Sequence, residues 1–293
     1  MVRLIARASL LLLLACCLPL AAAGKKGARK KAAPAKPAGP TLPGQKVTFT
    51  TKDGLVLTGQ FVPPNGHLTF LLLHGVGSSK GEWAALATRL AGEGYGVLAY
   101  DGRGHAESAM QGGQKLSWRK FRSTGTDNEW NQMQNDVEAA LLFLSSAGVQ
   151  ASSVAFGGAS IGANIMLIEA AAHPEVRMSV LLSPGINYRD VMIVNPIRKY
   201  GKRPLLVAAA TTDNYSFQSS QLLYNLSVSV AGPDKTFFLQ ADTGHGAPML
   251  DNAAMMDAVI AWVRAEEQGQ PFTYVAPSTT TVNLTSPTAP TRP

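Results

Sequence analysis

Ser160, Asp213 and His245 are a hydroxyl, a carboxylate and an imidazole in an order that could carry acyl transfer through a covalent serine ester. A serine hydroxyl is a weak nucleophile until a base takes its proton, and that base needs a third group to orient it. Ser160 stands in "SVAFGGASIGANIML" (153–167), with Gly158 and Gly162 two places to either side. The glycines suit a sharp strand-to-helix turn with the serine at its tip, where neighbouring backbone leaves no room for a Cβ. The same spacing recurs at Gly77-Ser78-Ser79-Lys80-Gly81, so spacing alone does not choose between the serines. Context does. Ser160 follows the apolar run "SVAF" by four residues and directly precedes a helical pattern, whereas Ser79 lies six residues past its strand in a wider polar loop.

After Ser160, only His245 falls at the carboxyl end of an expected strand, in "KTFFLQADTGHGAPML". His173 ends the helix that follows the serine, on the other side of the sheet. Four aspartates precede His245: Asp190, Asp213, Asp234 and Asp242. Asp213 follows the strand "PLLVAAA" by three residues and so reaches the same edge, although "DNYS" would also suit the N-cap of the next helix. Asp242 shares the histidine's own loop, and Asp234 precedes its strand. The negative charge developing on a carbonyl oxygen needs backbone N–H donors. Ile161, directly after the serine, supplies one, and Val76 in "LLLHGVGSSKGEW" supplies the other. No H-E-x-x-H or cysteine cluster points to a metal, and "GVGSSKG" lacks the glycine before Lys80 that a phosphate-binding loop requires, so neither metal nor cofactor is expected.

These residues need a scaffold that brings strand ends together. "KVTFTTKDGLVLTGQFV" alternates on both sides of Asp53-Gly54 and predicts an antiparallel hairpin. From there "LTFLLL", "GVLAY", "SVAF", "MSVLLS", "PLLVAAA" and "KTFFLQA" are apolar runs separated by helical patterns, with one long polar loop from Asp101 to about Asp127. Strands buried on both faces and alternating with helices predict an α/β fold with a doubly wound, mostly parallel sheet, whose sites lie at the carboxyl ends of the strands. The connection from Pro184 to Pro204 is short, which implies a minimal lid and an exposed site.

The termini read differently. Residues 1–24 carry Arg3 and Arg7 before a leucine-rich core and Ala21-Ala22-Ala23, the pattern of an export signal. "LLAC" also resembles a lipobox, which would make Cys16 a lipid attachment point and a membrane tether. Both cysteines, Cys16 and Cys17, fall in this segment, so no disulfide staples the fold. Residues 25–45 form a basic Ala/Pro linker, and residues 267–293 a Thr/Pro-rich tail read as disordered. The first 45 residues hold eight of the 26 lysines and arginines and none of the 19 acids, so the remainder is near neutral despite the overall charge of +7. The basic run therefore reads as a solvated spacer on an exported, periplasmic or cell-envelope protein, and no nucleic-acid partner is expected.

Over residues 46–266 the chain resembles the α/β-hydrolase superfamily, in its bacterial esterase, lysophospholipase and dienelactone-hydrolase-like branch. The resemblance is carried by "HGVGSS", "DGRGHAES", "GGASIGAN", "LLSPGINYRD", "TTDNYS" and "GHGAPML". It implies a serine hydrolase in which Ser160 attacks, His245 relays the proton, Asp213 holds the imidazolium, and the N–H groups of Val76 and Ile161 hold the oxyanion. It further implies that His74 and His105 are structural, and that Ala106, where a glycine is common, perturbs only its loop. Dienelactone hydrolases proper use cysteine where Ser160 stands, so their substrate does not carry over. Short acyl esters, lactones or lysolipids suit the short connection. The alternatives are a peptidase or thioesterase using the same residues, and an exported binding protein whose triad is vestigial.

Overall fold

Alternation along buried strands sorts their side chains into two separate cores. The computed structural model describes residues 41–272. The segment read as an export signal, nearly all of the basic linker and the tail beyond Phe272 lie outside the described residues. Strands β1 (Gln45–Thr50) and β2 (Val56–Val62) form the hairpin, followed by β3 (Thr69–Leu73), α1 (Ala84–Gly92) and β4 (Gly96–Tyr100). Then come α2 (Gln134–Ser146), β5 (Val154–Ala159), α3 (Ile161–Ala172) and β6 (Ser179–Leu182). The chain continues through α4 (Val194–Tyr200), β7 (Leu205–Ala210), α5 (Asn214–Ala231), β8 (Thr236–Ala241) and α6 (Ala253–Gln268). The eight strands form one sheet in the order β1-β2-β4-β3-β5-β6-β7-β8. β2 pairs antiparallel with β1 and β4, and every other pair is parallel. The fold class read from the sequence is the one observed.

Successive strand residues point to opposite faces. Leu71 and Leu73 of β3 share one core with Val137, Ile165, Ile197 and Leu223 from α2, α3, α4 and α5. Phe70 and Leu72 belong to the other, with Leu86, Leu90, Val259 and Ile260 from α1 and α6. The sheet is thus covered on both faces.

Some boundaries differ from those expected. Packing extends past residues 46–266: Leu42 is buried and its carbonyl accepts from Gln60 Nε2, while Phe272 packs edge-on against Phe237. α6 runs on to Gln268 because Glu267 is held by the Leu68 N–H and the Tyr95 hydroxyl. α5 begins at Asn214, a turn before the apolar pattern, since its inward stripe starts with the buried serines Ser216, Ser219 and Ser220. A 3-10 turn over Ala247–Asp251 precedes α6, which the Asn252 side chain caps by accepting from the Met255 N–H. The connection after β6 holds a two-residue hairpin (Asn187–Tyr188 with Val191–Met192) and α4, with no larger lid.

α3 meets β3 at a single point of closest approach. A Cβ on Gly162 would collide with the backbone oxygens of Leu73 and His74, neither of which can yield. Gly162→Ala is therefore expected to lower stability by about 1–3 kcal/mol, the usual cost of overpacking, read as a drop in urea midpoint at unchanged slope. At its other end, α3 is capped by Arg203, whose guanidinium donates to the carbonyls of Ala170 and His173.

Candidate active site

The turn between β5 and α3 puts Ser160 at φ 55° and ψ −124°, a left-handed region that non-glycine residues rarely occupy. Strain of this kind costs about 1–3 kcal/mol and persists only where the surroundings enforce it. Here they do. The Ser160 N–H donates to Leu182 O, and its carbonyl accepts from Ala163, so the residue is locked between sheet and helix. A Cβ on Gly158 would lie 2.6 Å from the Ala163 Cα, which is why the turn needs glycine there. Ser160 itself is 8% exposed.

Asp213 and His245 are brought together from the ends of β7 and β8. Asp213 Oδ2 lies 2.5 Å from His245 Nδ1, which leaves Nε2 as the free ring nitrogen. Asp213 stands at the N-cap position of α5 by its backbone, but its carboxylate is turned to the imidazole. Partial burial alone would raise this carboxyl, yet the hydrogen bonds from His245 and Ser216 hold it below the ordinary aspartate value. The competing aspartates are occupied elsewhere. Asp190 accepts from the Gly125 N–H and Asn187, and Asp234 sits at the amino end of β8. Asp242 turns its backbone carbonyl to the hydroxyls of Thr211 and Thr212.

The histidine loop is seated against the serine by its next residue. The Gly246 N–H donates to Ser183 Oγ at 2.9 Å, and a Cβ on Gly246 would lie 3.2 Å from that of Ala159. Among the described residues there is no direct hydrogen bond between Ser160 and His245. Unliganded sites often show such bonds loose, and they tighten when substrate binds.

On the other side of Ser160 lies the loop after β3. A Cβ on Gly75 would be 3.2 Å from Ser160 Cβ, so the loop passes directly over the serine. The N–H groups of Val76 and Ile161 have no acceptor among the described residues, as an oxyanion hole requires of its donors. Ser79 serves the loop itself, since its hydroxyl accepts from the Gly81 N–H and caps the 3-10 turn Lys80–Trp83. Glu82 anchors the loop by accepting from the Gly75 N–H, and burial pushes its carboxyl up. His74, fully buried, bonds Gly75 O through Nδ1 and accepts from the Gly102 N–H at Nε2. Burial, with the neighbouring His105 ring, pushes it down to about 4, so it stays neutral. His105 stacks on Trp118, and Ala106 adopts φ 37°, the conformation a glycine would take without strain.

Two residues here are assigned no role by the sequence, although the second lies within "LLSPGINYRD". Trp118, from the long polar loop, lies against Gly77, where a Cβ would meet its ring at 2.8 Å. Tyr188 comes from the small hairpin after β6, which Asn164 clamps by donating to Gly185 O and Val191 O. Its hydroxyl lies 2.7 Å from Ser216 Oγ and 3.4 Å from Ser183 O. Burial pushes this phenol up to about 12, so it keeps its proton. Ser216 in turn bonds Asp213, so the tyrosine hydroxyl supports that carboxylate through it. Tyr188→Phe is expected to lower kcat/KM about fivefold, the equivalent of one hydrogen bond of roughly 1 kcal/mol, with folding unchanged, as steady-state ester hydrolysis would measure.

Fold and site together define an α/β-hydrolase. A family profile described as serine aminopeptidase, S33, matches residues 65–241, and the chain belongs to this family of hydrolases. No curated protein matches the sequence. The Pyrococcus furiosus esterase Pf2001 superposes with a TM-score of 0.61 at 18% identity, covering 77% of this chain and 92% of that one. The α/β-hydrolase GrgF from a Penicillium species gives 0.60 at 16%, covering 78% and 100%. The esterase domain of a Rhodothermus marinus protein gives 0.53 at 17%, covering 76% and 97%. At these identities the likeness is one of fold.

Proposed function

We propose that this chain hydrolyses carboxylic esters with small acyl groups through an acyl-serine intermediate. The observation that carries the reading is the strained Ser160 beside an imidazole held by Asp213 at 2.5 Å, facing two backbone N–H groups without acceptors among the described residues. In the proposed reaction Ser160 Oγ attacks the ester carbonyl while His245 Nε2 takes its proton. The N–H groups of Val76 and Ile161 stabilise the oxyanion, and His245 returns the proton to the departing alcohol. Water then repeats the sequence on the acyl-serine and releases the acid.

Partly buried Val76, Trp118 and Tyr188 give the serine a small apolar surround, which supports short acyl groups or lactones over long chains. The His245 side chain, 47% exposed, supports an open site. The family description favours a second reading, cleavage of N-terminal peptide bonds. That reaction needs a free carboxylate for the substrate's ammonium group. Glu82, whose charge reaches His245, is already committed to Gly75 and Ser78, which supports the ester reading. The signal-like residues 1–24 support an exported enzyme at the cell envelope, tethered through Cys16 if that residue carries lipid.

The test compares p-nitrophenyl butyrate, p-nitrophenyl palmitate and alanine p-nitroanilide. The butyrate ester is expected to give the highest kcat/KM, by about tenfold or more. Faster cleavage of the anilide would establish the peptidase, and no turnover of any ester or anilide would move the reading to a binding protein.

A further inference from the structure

Away from Ser160, three potential metal ligands converge between α2 and α3. His173, just past the end of α3, places Nε2 3.0 Å from Glu138 Oε1 of α2 and 3.7 Å from Glu169 Oε2 of α3. One ligand atom from each residue lies within 4.8 Å of the other two. The decisive atom is Glu169 Oε2. Its residue is 3% exposed, and among the described residues the oxygen has no hydrogen-bond partner, only the longer ion-pair contact to His173. A buried carboxylate oxygen without a donor is costly, and this one is turned toward a second carboxylate as well. Lys52, a nearby positive charge, forms no ion pair with it among the described residues. A cation at the point where the three side chains meet would satisfy both carboxylates at once.

We propose that Glu138, Glu169 and His173 form a binding site for a zinc-class divalent cation that staples α2 to α3. Imidazole with two carboxylates suits zinc among the common metals. Tetrahedral zinc with bonds of about 2.0–2.1 Å needs ligand atoms about 3.3 Å apart, between the two distances measured from Nε2. The other ring nitrogen is already oriented: His173 Nδ1 lies 3.1 Å from Glu175 Oε1, the carboxylate–histidine support that zinc ligands characteristically have. Glu138 is half-exposed, so water completes the fourth position. α3 has 12 residues, which puts the site about 18 Å from Ser160 at 1.5 Å per residue, so the cation would act on stability and not on turnover.

The test uses the full chain, untagged, with Cys16 and Cys17 replaced by serine and metal stripped by chelator. Zinc chloride is titrated calorimetrically and its effect on Tm is followed. The expected result is one zinc per chain and a Tm that rises with zinc concentration. Glu169→Gln and His173→Gln should each bind at least about tenfold more weakly and lose the rise, and Glu175→Gln should weaken binding by about tenfold. His245→Ala should bind as the parent does. Zinc binding that survives Glu169→Gln and His173→Gln, or that His245→Ala removes, would overturn the site. So would no binding at all, which would leave a proton and the imidazolium as the companions of Glu169.

Discussion

Ser160→Ala is expected to abolish turnover, by on the order of 10⁶-fold in kcat where a triad nucleophile is removed, and to abolish labelling by a fluorophosphonate probe. Folding should be unaffected, because alanine keeps the Cβ and the backbone bonds to Leu182 and Ala163 do not involve the hydroxyl. The strain supplies a second arm. Ser160→Gly should be equally inactive yet more stable by about 1 kcal/mol, because glycine tolerates φ 55° without penalty. Ester hydrolysis, far-UV circular dichroism, urea unfolding and peptide mass spectrometry of the probe-treated protein measure turnover, folding, stability and labelling in turn. An alanine variant that still turns over or still labels would sink the assignment of Ser160.

Asp213→Asn is expected to lower kcat by about 10⁴-fold, the scale seen when an orienting aspartate is made neutral in other serine hydrolases. Asparagine fits the same space, but it offers no charge to the imidazolium and lets the ring adopt the wrong tautomer. The carboxylate's own electrostatics make the same point. Its folded value lies below its ordinary 3.8, so the charge is fully present at neutral pH and is lost only as pH falls through that depressed value. The carboxylate is therefore available to His245 at neutral and alkaline pH and is lost only in acid. Retention of more than about a tenth of the activity would reduce Asp213 to a helix N-cap. The same assay on Asp242→Asn, expected to be near parental, guards against a different orienting group.

Much of this is legible in the sequence for a physical reason. A strand buried on both faces must be apolar throughout, so the parallel sheet appears as five- and six-residue runs such as "GVLAY" and "LLVAAA". A turn too tight for a Cβ must use glycine, so the elbow appears as Gly158 and Gly162 around Ser160. Chain order at strand ends then selects Asp213 and His245. What stays hidden obeys no period. Tyr188 is held beside Ser216 because Asn164 clamps the hairpin that carries it, and Trp118 lies against Gly77 of the loop after β3 from a stretch that reads only as polar. The start of α5 is obscured because buried serines take the inward positions that leucine or valine would have marked. His173 reads only as a residue on the wrong side of the sheet for the triad, and its glutamate neighbours come from two helices that share no motif.

The arrangement of the sheet has a consequence for how the chain acquires activity. β3 and β5 lie side by side at its centre, with Leu73 opposite Gly158, yet they are far apart in the chain, with α1, β4 and α2 between them. Central parallel pairings of this kind carry a large loop-closure cost and form slowly. The loop over Ser160 and the turn that carries it extend from these two strands, so on the proposed mechanism reactivity at Ser160 is expected to appear only with the pairing of β3 and β5, later than local helix and hairpin contacts.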